Sequence, residues 1–122
     1  MKSSIRISIA YVVGCLISKN TFNHIMAKDE NQYLQISGKF ANSNIDVEEY
    51  ETGKKCFGMI QGDNGSFVNE GENAPIKFKL NGSSFTGSDG ASGTNFSGDV
   101  NGKTVKIYDY DEGKHFYYYL SE

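Results

Sequence analysis

From residue 33 onward the chain alternates apolar and polar positions in short runs, and each run ends at a turn rich in Gly. The clearest turns are Thr52-Gly53, Asn81-Gly82, Asn101-Gly102 and Glu112-Gly113, flanked by β-branched or aromatic residues at period two. This combination is the strongest short-range signal for β-hairpins. It predicts strands over 33–40, 45–51, 54–61, 66–69, 75–80, 83–88, 94–100, 103–109 and 114–120. The connections are short, so sequential strands run antiparallel and the simplest topology is a meander. Eight or nine short strands do not stay flat, and closure removes exposed edges. The predicted fold is therefore all-β: an antiparallel meander of 8–9 short strands forming a small barrel or rolled sandwich, with 33–122 as a single domain.

The turns also assign faces. Tyr50-Glu51-Thr52-Gly53-Lys54 has the form of a three-residue loop with Gly in the left-handed position, which sets Val47 opposite Phe57 and Ile45 opposite Met59. The same grammar at 110–114 sets Asp109 opposite His115, Ile107 opposite Tyr117 and Val105 opposite Tyr119. Two-residue Asn-Gly loops set Phe78 opposite Phe85 and Phe96 opposite Ile107. The segments 36–60 and 96–120 align without a gap, which points to a hairpin duplicated at an offset of sixty. On this register Phe57, Met59, Tyr117 and Tyr119 face inward with the other apolar residues.

One strand departs from the rule of a polar outer face. The hairpin over 76–87 carries Lys77 and Lys79 outward, whereas strand 114–120 presents Phe116, Tyr118 and Leu120 outward, with Tyr108 opposite Phe116. An outward apolar stripe marks a surface for a protein partner, a small ligand or a second copy of the chain. Tyr108, Phe116, Tyr118 and Leu120 are the expected binding residues.

Residues 1–32 do not share the strand rhythm. Lys2 and Arg6 precede an apolar run from Ile7 to Ile17, too short to span a bilayer and of the right length for an export signal. Val12-Val13-Gly14-Cys15 has the form of a lipobox, with Cys15 as the lipidated residue; cleavage after Ala27 is the competing reading. Residues 1–27 are thus expected to be a signal or lipoprotein leader, 28–32 a short linker, and the protein exported: periplasmic, secreted or lipid-anchored, with membrane contact only through such an anchor. On this expectation the leader adds little to stability.

Composition narrows the function further. Net charge is −3, with 12 basic residues scattered among 15 acidic ones, so there is no clustered basic footprint for nucleic acid. The two cysteines lack a Cys-x-x-Cys spacing, so no redox or zinc motif is present. Asp109-Tyr110-Asp111-Glu112-Gly113 has too few oxygen ligands for a calcium loop, and its Gly comes one position early. His115 beside Asp109 is the only His–carboxylate pair the register supplies, and no nucleophile accompanies it. Asp89-Gly90-Ala91-Ser92-Gly93 lacks the Lys and following helix of a phosphate cradle. Ser92-Gly93-Thr94-Asn95-Phe96 is similar to the Ser-Gly-x-x-aromatic loop of small periplasmic lysozyme inhibitors. Phe96 stands where that family usually has Tyr, and the family's disulfide pattern is missing. The resemblance implies a periplasmic inhibitor. The reading from the residues is a non-enzymatic binding or inhibitory module without metal or cofactor, acting through its last hairpin. The alternative is a structural, self-associating subunit of the cell envelope.

Overall fold

A computed structural model describes residues 1–122. The chain forms one helix, α1 (Ser3–Ser18), and ten strands: β1 (His24–Ala27), β2 (Gln32–Lys39), β3 (Asn44–Glu49), β4 (Lys55–Gln61), β5 (Asn64–Asn69), β6 (Ala74–Asn81), β7 (Ser84–Asp89), β8 (Thr94–Asn101), β9 (Thr104–Asp109) and β10 (Lys114–Ser121). Each strand pairs antiparallel with the next, and β1 pairs with β10 to close the barrel. The nine strands expected from alternation are all present.

The tenth strand comes from the segment expected to stand apart. Ile25 of β1 lies opposite Leu120 on one side and Leu34 on the other. Strands β2 and β10 run in the same direction, as the first and last of nine meander strands must. One further strand between them lets every neighbour pair antiparallel. Lys28–Asn31 is the loop joining β1 to β2, and Asp29 Oδ2 accepts the Tyr117 N–H at 2.8 Å.

The helix lies inside the barrel. Ten strands enclose more space than wall side chains alone can fill, and an α-helix is about 10 Å across. Ile5, Ile7, Ile9, Tyr11, Val12 and Val13 are all buried, so α1 is covered on every side. A helix that is apolar all round is stable only when it is surrounded. Its β-branched residues give it little intrinsic helical preference, so the surrounding wall is what holds it. Gly14 allows close contact: a Cβ there would lie 2.3 Å from Leu120 Cδ1. Residues 1–27, expected to stand apart and add little to stability, instead supply both the core helix and the closing strand.

The repeat is shorter than the offset of sixty suggested. Two-residue turns centred on Gly62-Asp63, Gly82-Ser83 and Gly102-Lys103 recur every twenty residues at one end of the barrel, with φ of 59°, 62° and 62° at the Gly. Four-residue loops over 50–53, 70–73, 90–93 and 110–113 recur with the same spacing at the other end. The wall is a series of twenty-residue hairpin units, and sixty is three of them.

Loop length decides the faces. The Asn-Gly turns sit one residue later than expected, which shifts the pairing by two and leaves Phe78 and Phe85 inward. The 50–53 and 110–113 loops hold four residues rather than three. Gly53 N–H donates to Glu49 O, and Glu49 N–H to Lys54 O, each at 2.9 Å. One extra residue reverses every side chain of the following strand. Phe57 and Met59, expected inside, are 42% and 54% exposed, and Tyr119 is 37% exposed. Phe116, Tyr118 and Leu120, expected outside, are 4%, 1% and 2% exposed and belong to the core.

Inward glycines make room for rings. Gly58 lies opposite Phe67 and Gly98 opposite Phe85, while Gly65 and Gly87 both face Phe78. A Cβ on Gly58 would sit 1.9 Å from Ser66 O, and one on Gly98 1.9 Å from Lys106 O. These strands approach too closely at those points for any other residue.

Two outcomes test this fold. A chain beginning at Lys28 should lose cooperative thermal unfolding by circular dichroism, since it lacks α1 and β1; a melting profile like that of the full chain would refute the plug. Gly53→Ala and Gly113→Ala, both at φ 69° with open space around the added Cβ, should each cost about 1 kcal/mol through the backbone alone. Gly58→Ala should cost several times more, because its Cβ meets backbone. Chemical denaturation of the three variants checks the ranking.

Candidate functional site

The expected binding stripe divides between the two faces of the wall. Phe116, Tyr118 and Leu120 pack in the lumen against α1, and only Tyr108 faces outward. Cys15 is 3% exposed inside the barrel. Burial raises the Cys15 thiol pKa and pushes that of Cys56 up to about 12, so both stay protonated and unreactive. His115 and Asp109 are not a pair. His115 lies on the outer face beside Tyr108, while Asp109 is fully buried.

Asp109 instead anchors the helix. Its Oδ2 accepts from the Met1 ammonium and from Arg6 Nη1, each at 3.0 Å. Its Oδ1 accepts the Asp111 and Glu112 N–H groups at 2.9 and 3.2 Å. Arg6 also donates to Glu30 at 2.7 Å and lies 3.8 Å above the Phe116 ring. Around the same helix end, Ser3 bonds Glu30, and Ser4 and Lys2 bond Glu72 at 2.6 and 3.0 Å. Acidic groups from two loops and from the end of β9 thus meet the helix N-terminus, where the peptide dipoles favour negative charge. Burial by itself would raise the Asp109 pKa; the ammonium, the loop amides and Arg6 outweigh it and hold the carboxyl below its ordinary value. Every oxygen of Asp109 is engaged by its own chain, in a structural role.

The outer wall offers a different arrangement. Across β7, β8, β9 and β10, Thr86, Ser97, Tyr108 and His115 form one row of paired outward positions. Ser88 and Asn95 form the next row. Tyr110, at the start of the last loop, folds back over them. Its ring meets Tyr108 edge-on at 4.8 Å and 84°, and its hydroxyl lies 3.3 Å from Ser97 Oγ. Tyr108 is braced on its other side by His115, also at 4.8 Å. Beside this cluster runs a groove of about 470 Å³, lined by Thr86, Gly87, Ser88, Asn95, Phe96, Ser97 and Tyr110. No charged side chain lines it.

Sequence reasoning placed Tyr108 here and missed Tyr110, Ser97, Asn95, Thr86 and Ser88. The signal was the run of hydroxyl and amide residues alternating with Phe and Gly in 84–88 and 94–97, which read only as a polar face. The aromatic of the Ser92–Phe96 motif is 1% exposed in the lumen. Ser92 Oγ donates to Asp89 Oδ2 at 2.8 Å within its own loop. That motif therefore presents no aromatic ring to a partner.

Two other exposed apolar groups stand on the wall. Phe57 lies opposite Val68, with Met59 two residues along β4. Tyr119, Met26 and Tyr33 form a row across β10, β1 and β2. No family model, curated protein or solved structure matches the chain.

The Asp109 anchor predicts a pH dependence. A carboxyl whose pKa is lowered on folding adds stability that is complete above its unfolded value, near 3.8, and is lost as pH falls through the folded value. Asp109→Asn should cost about 3 kcal/mol at neutral pH, because Arg6 loses a buried partner. The gap between parent and variant should close as the pH drops below about 4. Thermal melts of both proteins across that range measure it.

Proposed function

We propose that this chain is a small non-enzymatic binding module that works from the outside of its barrel, through Tyr110, Tyr108 and His115 and the groove beside them. One observation carries the reading: α1 fills the lumen, so recognition falls to the wall. Tyr110 is 58% exposed yet held on two sides. Such a ring offers contact area at low entropic cost, and its hydroxyl adds a polar handle.

The proposal includes export, on the basis of Lys2, Arg6 and the apolar run from Ile7 to Ile17, with residues 1–27 retained, since the wall reading needs α1 in the lumen. In the folded barrel Cys15 and Ala27 are 3% and 2% exposed. Lipidation at Cys15 or cleavage after Ala27 would thus have to precede folding. Either would withdraw the helix, and cleavage would also withdraw β1.

A second reading, self-association, draws on the rows Phe57–Val68 and Tyr119–Met26–Tyr33, which leave apolar area on the wall. Sedimentation across a wide concentration range separates the two. Constant mass supports a monomeric module, and rising mass supports self-association. A photo-crosslinking residue at position 110, introduced in the native host, should trap a partner, while the same residue at position 46 on β3 should not. Equal adducts from both positions would overturn the wall reading.

A further inference from the structure

We infer that the groove over β7 and β8 is a subsite for a neutral carbohydrate chain, with Tyr110 as its stacking platform. The inference rests on the outer-wall reading and names the ligand class. Three features of the groove agree on it. Its side chains are hydroxyls and an amide, from Thr86, Ser88, Ser97 and Asn95. Each hydroxyl both donates and accepts, and the amide has one atom of each kind. That is the complement a sugar needs, because every sugar hydroxyl also does both. The lining carries no charge, which disfavours a phosphate, a carboxylate or an ammonium as the bound group.

The second feature is the spacing. Thr86 lies opposite Ser97, and Ser88 lies opposite Asn95. The two pairs are two residues apart along the strands, about 6.7 Å, roughly the span of one sugar ring. Successive rings of an extended chain could therefore meet successive pairs of polar groups. The third feature is the aromatic wall. A sugar ring has an apolar C–H face that packs on an aromatic face. Tyr110 stands at the groove edge, and its orientation is fixed by Tyr108 and Ser97 before any ligand arrives. Such preorganisation lowers the entropy lost on binding.

Lysines flank this groove without lining it. Lys79 lies opposite Thr86 and Lys77 opposite Ser88, on the neighbouring strand β6. They define the competing chemistry, an acidic polymer held by charge, and salt distinguishes the two.

The test uses the full chain against immobilised neutral oligosaccharides of hexose and N-acetylhexosamine units, with an acidic polysaccharide as the contrast. Titration calorimetry then follows the best neutral chain. Binding should be unchanged between about 50 mM and about 500 mM salt. Tyr110→Ala should weaken it about tenfold, and Tyr110→Phe should largely preserve it, since the stacking face remains. Melting temperatures of both variants report on folding. The inference is overturned if no neutral oligosaccharide binds. It is equally overturned if only the acidic polymer binds, in a salt-sensitive manner and independently of Tyr110. If carbohydrate binding fails while position 110 still crosslinks a protein, the ligand class is wrong and the wall reading stands. If both fail, the wall reading falls as well.

Discussion

Ten strands closed into a ring leave a space that their own side chains do not fill, and the rest of this structure follows from filling it. An empty apolar lumen would forfeit dispersion contacts along its whole lining. A helix is the one element that can enter with its backbone already hydrogen-bonded, so it brings no unpaired amide into the core. Residues 3–18 meet that requirement with apolar side chains in all directions. Where wall and helix compete for room, the wall yields. Gly38 lies against the Tyr11 ring, where a Cβ would come within 2.9 Å. Tyr11 in turn sends its hydroxyl to Phe22 O at 2.5 Å, tying the middle of the helix to the chain that leads into β1.

Apolar packing alone would not fix which way the helix points. Polarity comes from its first two turns. Arg6, Lys2 and the Met1 ammonium lie among Glu30, Glu72 and Asp109 of the long-loop end. A reversed helix would carry Arg6 to the short-turn end, away from these carboxylates, at the cost of leaving buried charges unpaired. Lys2–Glu72 is largely exposed on the lysine side and adds little by itself. The buried pair Arg6–Asp109 is the discriminating one. Its cost of desolvation is offset because Asp109 also accepts two loop amides, so the same carboxylate shapes the β9–β10 turn and orients the plug.

Fold class was legible because alternation survives errors in turn type. At Asn81-Gly82 and Asn101-Gly102 the loop moved by one residue, the pairing moved by two, and every side chain kept its face. At Gly53 and Gly113 the loop gained one residue, and the faces of β4 and β10 reversed. Nothing local distinguishes the three-residue from the four-residue loop, since both place Gly in the left-handed region. The distinguishing information lies further back, in Glu49, Asn69, Asp89 and Asp109. They recur every twenty residues just before each loop, and their side chains or carbonyls cap it. The outward stripe predicted for β10 was a true observation about two apolar faces. Only its assignment to inside and outside was inverted, so Tyr117 and Tyr119 rather than Phe116 and Tyr118 meet solvent. The groove over β7 and β8 was illegible for another reason. It depends on Tyr110 folding back from the loop onto Tyr108 of β9 and Ser97 of β8, and loop conformation is not carried by alternation.

The N-terminus was the hardest part to read because two environments ask the same thing of a sequence. A segment bound for a bilayer and a helix enclosed by a barrel both need an apolar surface without a polar stripe, and both tolerate basic residues at the leading end. Amphipathic periodicity would have separated a core helix from a leader, and it is absent because α1 has no solvent side. What does separate them is complementarity elsewhere in the chain. A leader requires nothing of the mature domain. A plug requires acidic partners at one end of the wall, a cavity of matching width, and small residues where it comes closest. Glu30, Glu72 and Asp109 meet the first condition, the tenth strand meets the second, and Gly38 meets the third. Apart from β1 itself, none of these lies in residues 1–27, which is why the segment reads as detachable in sequence although the folded barrel encloses it.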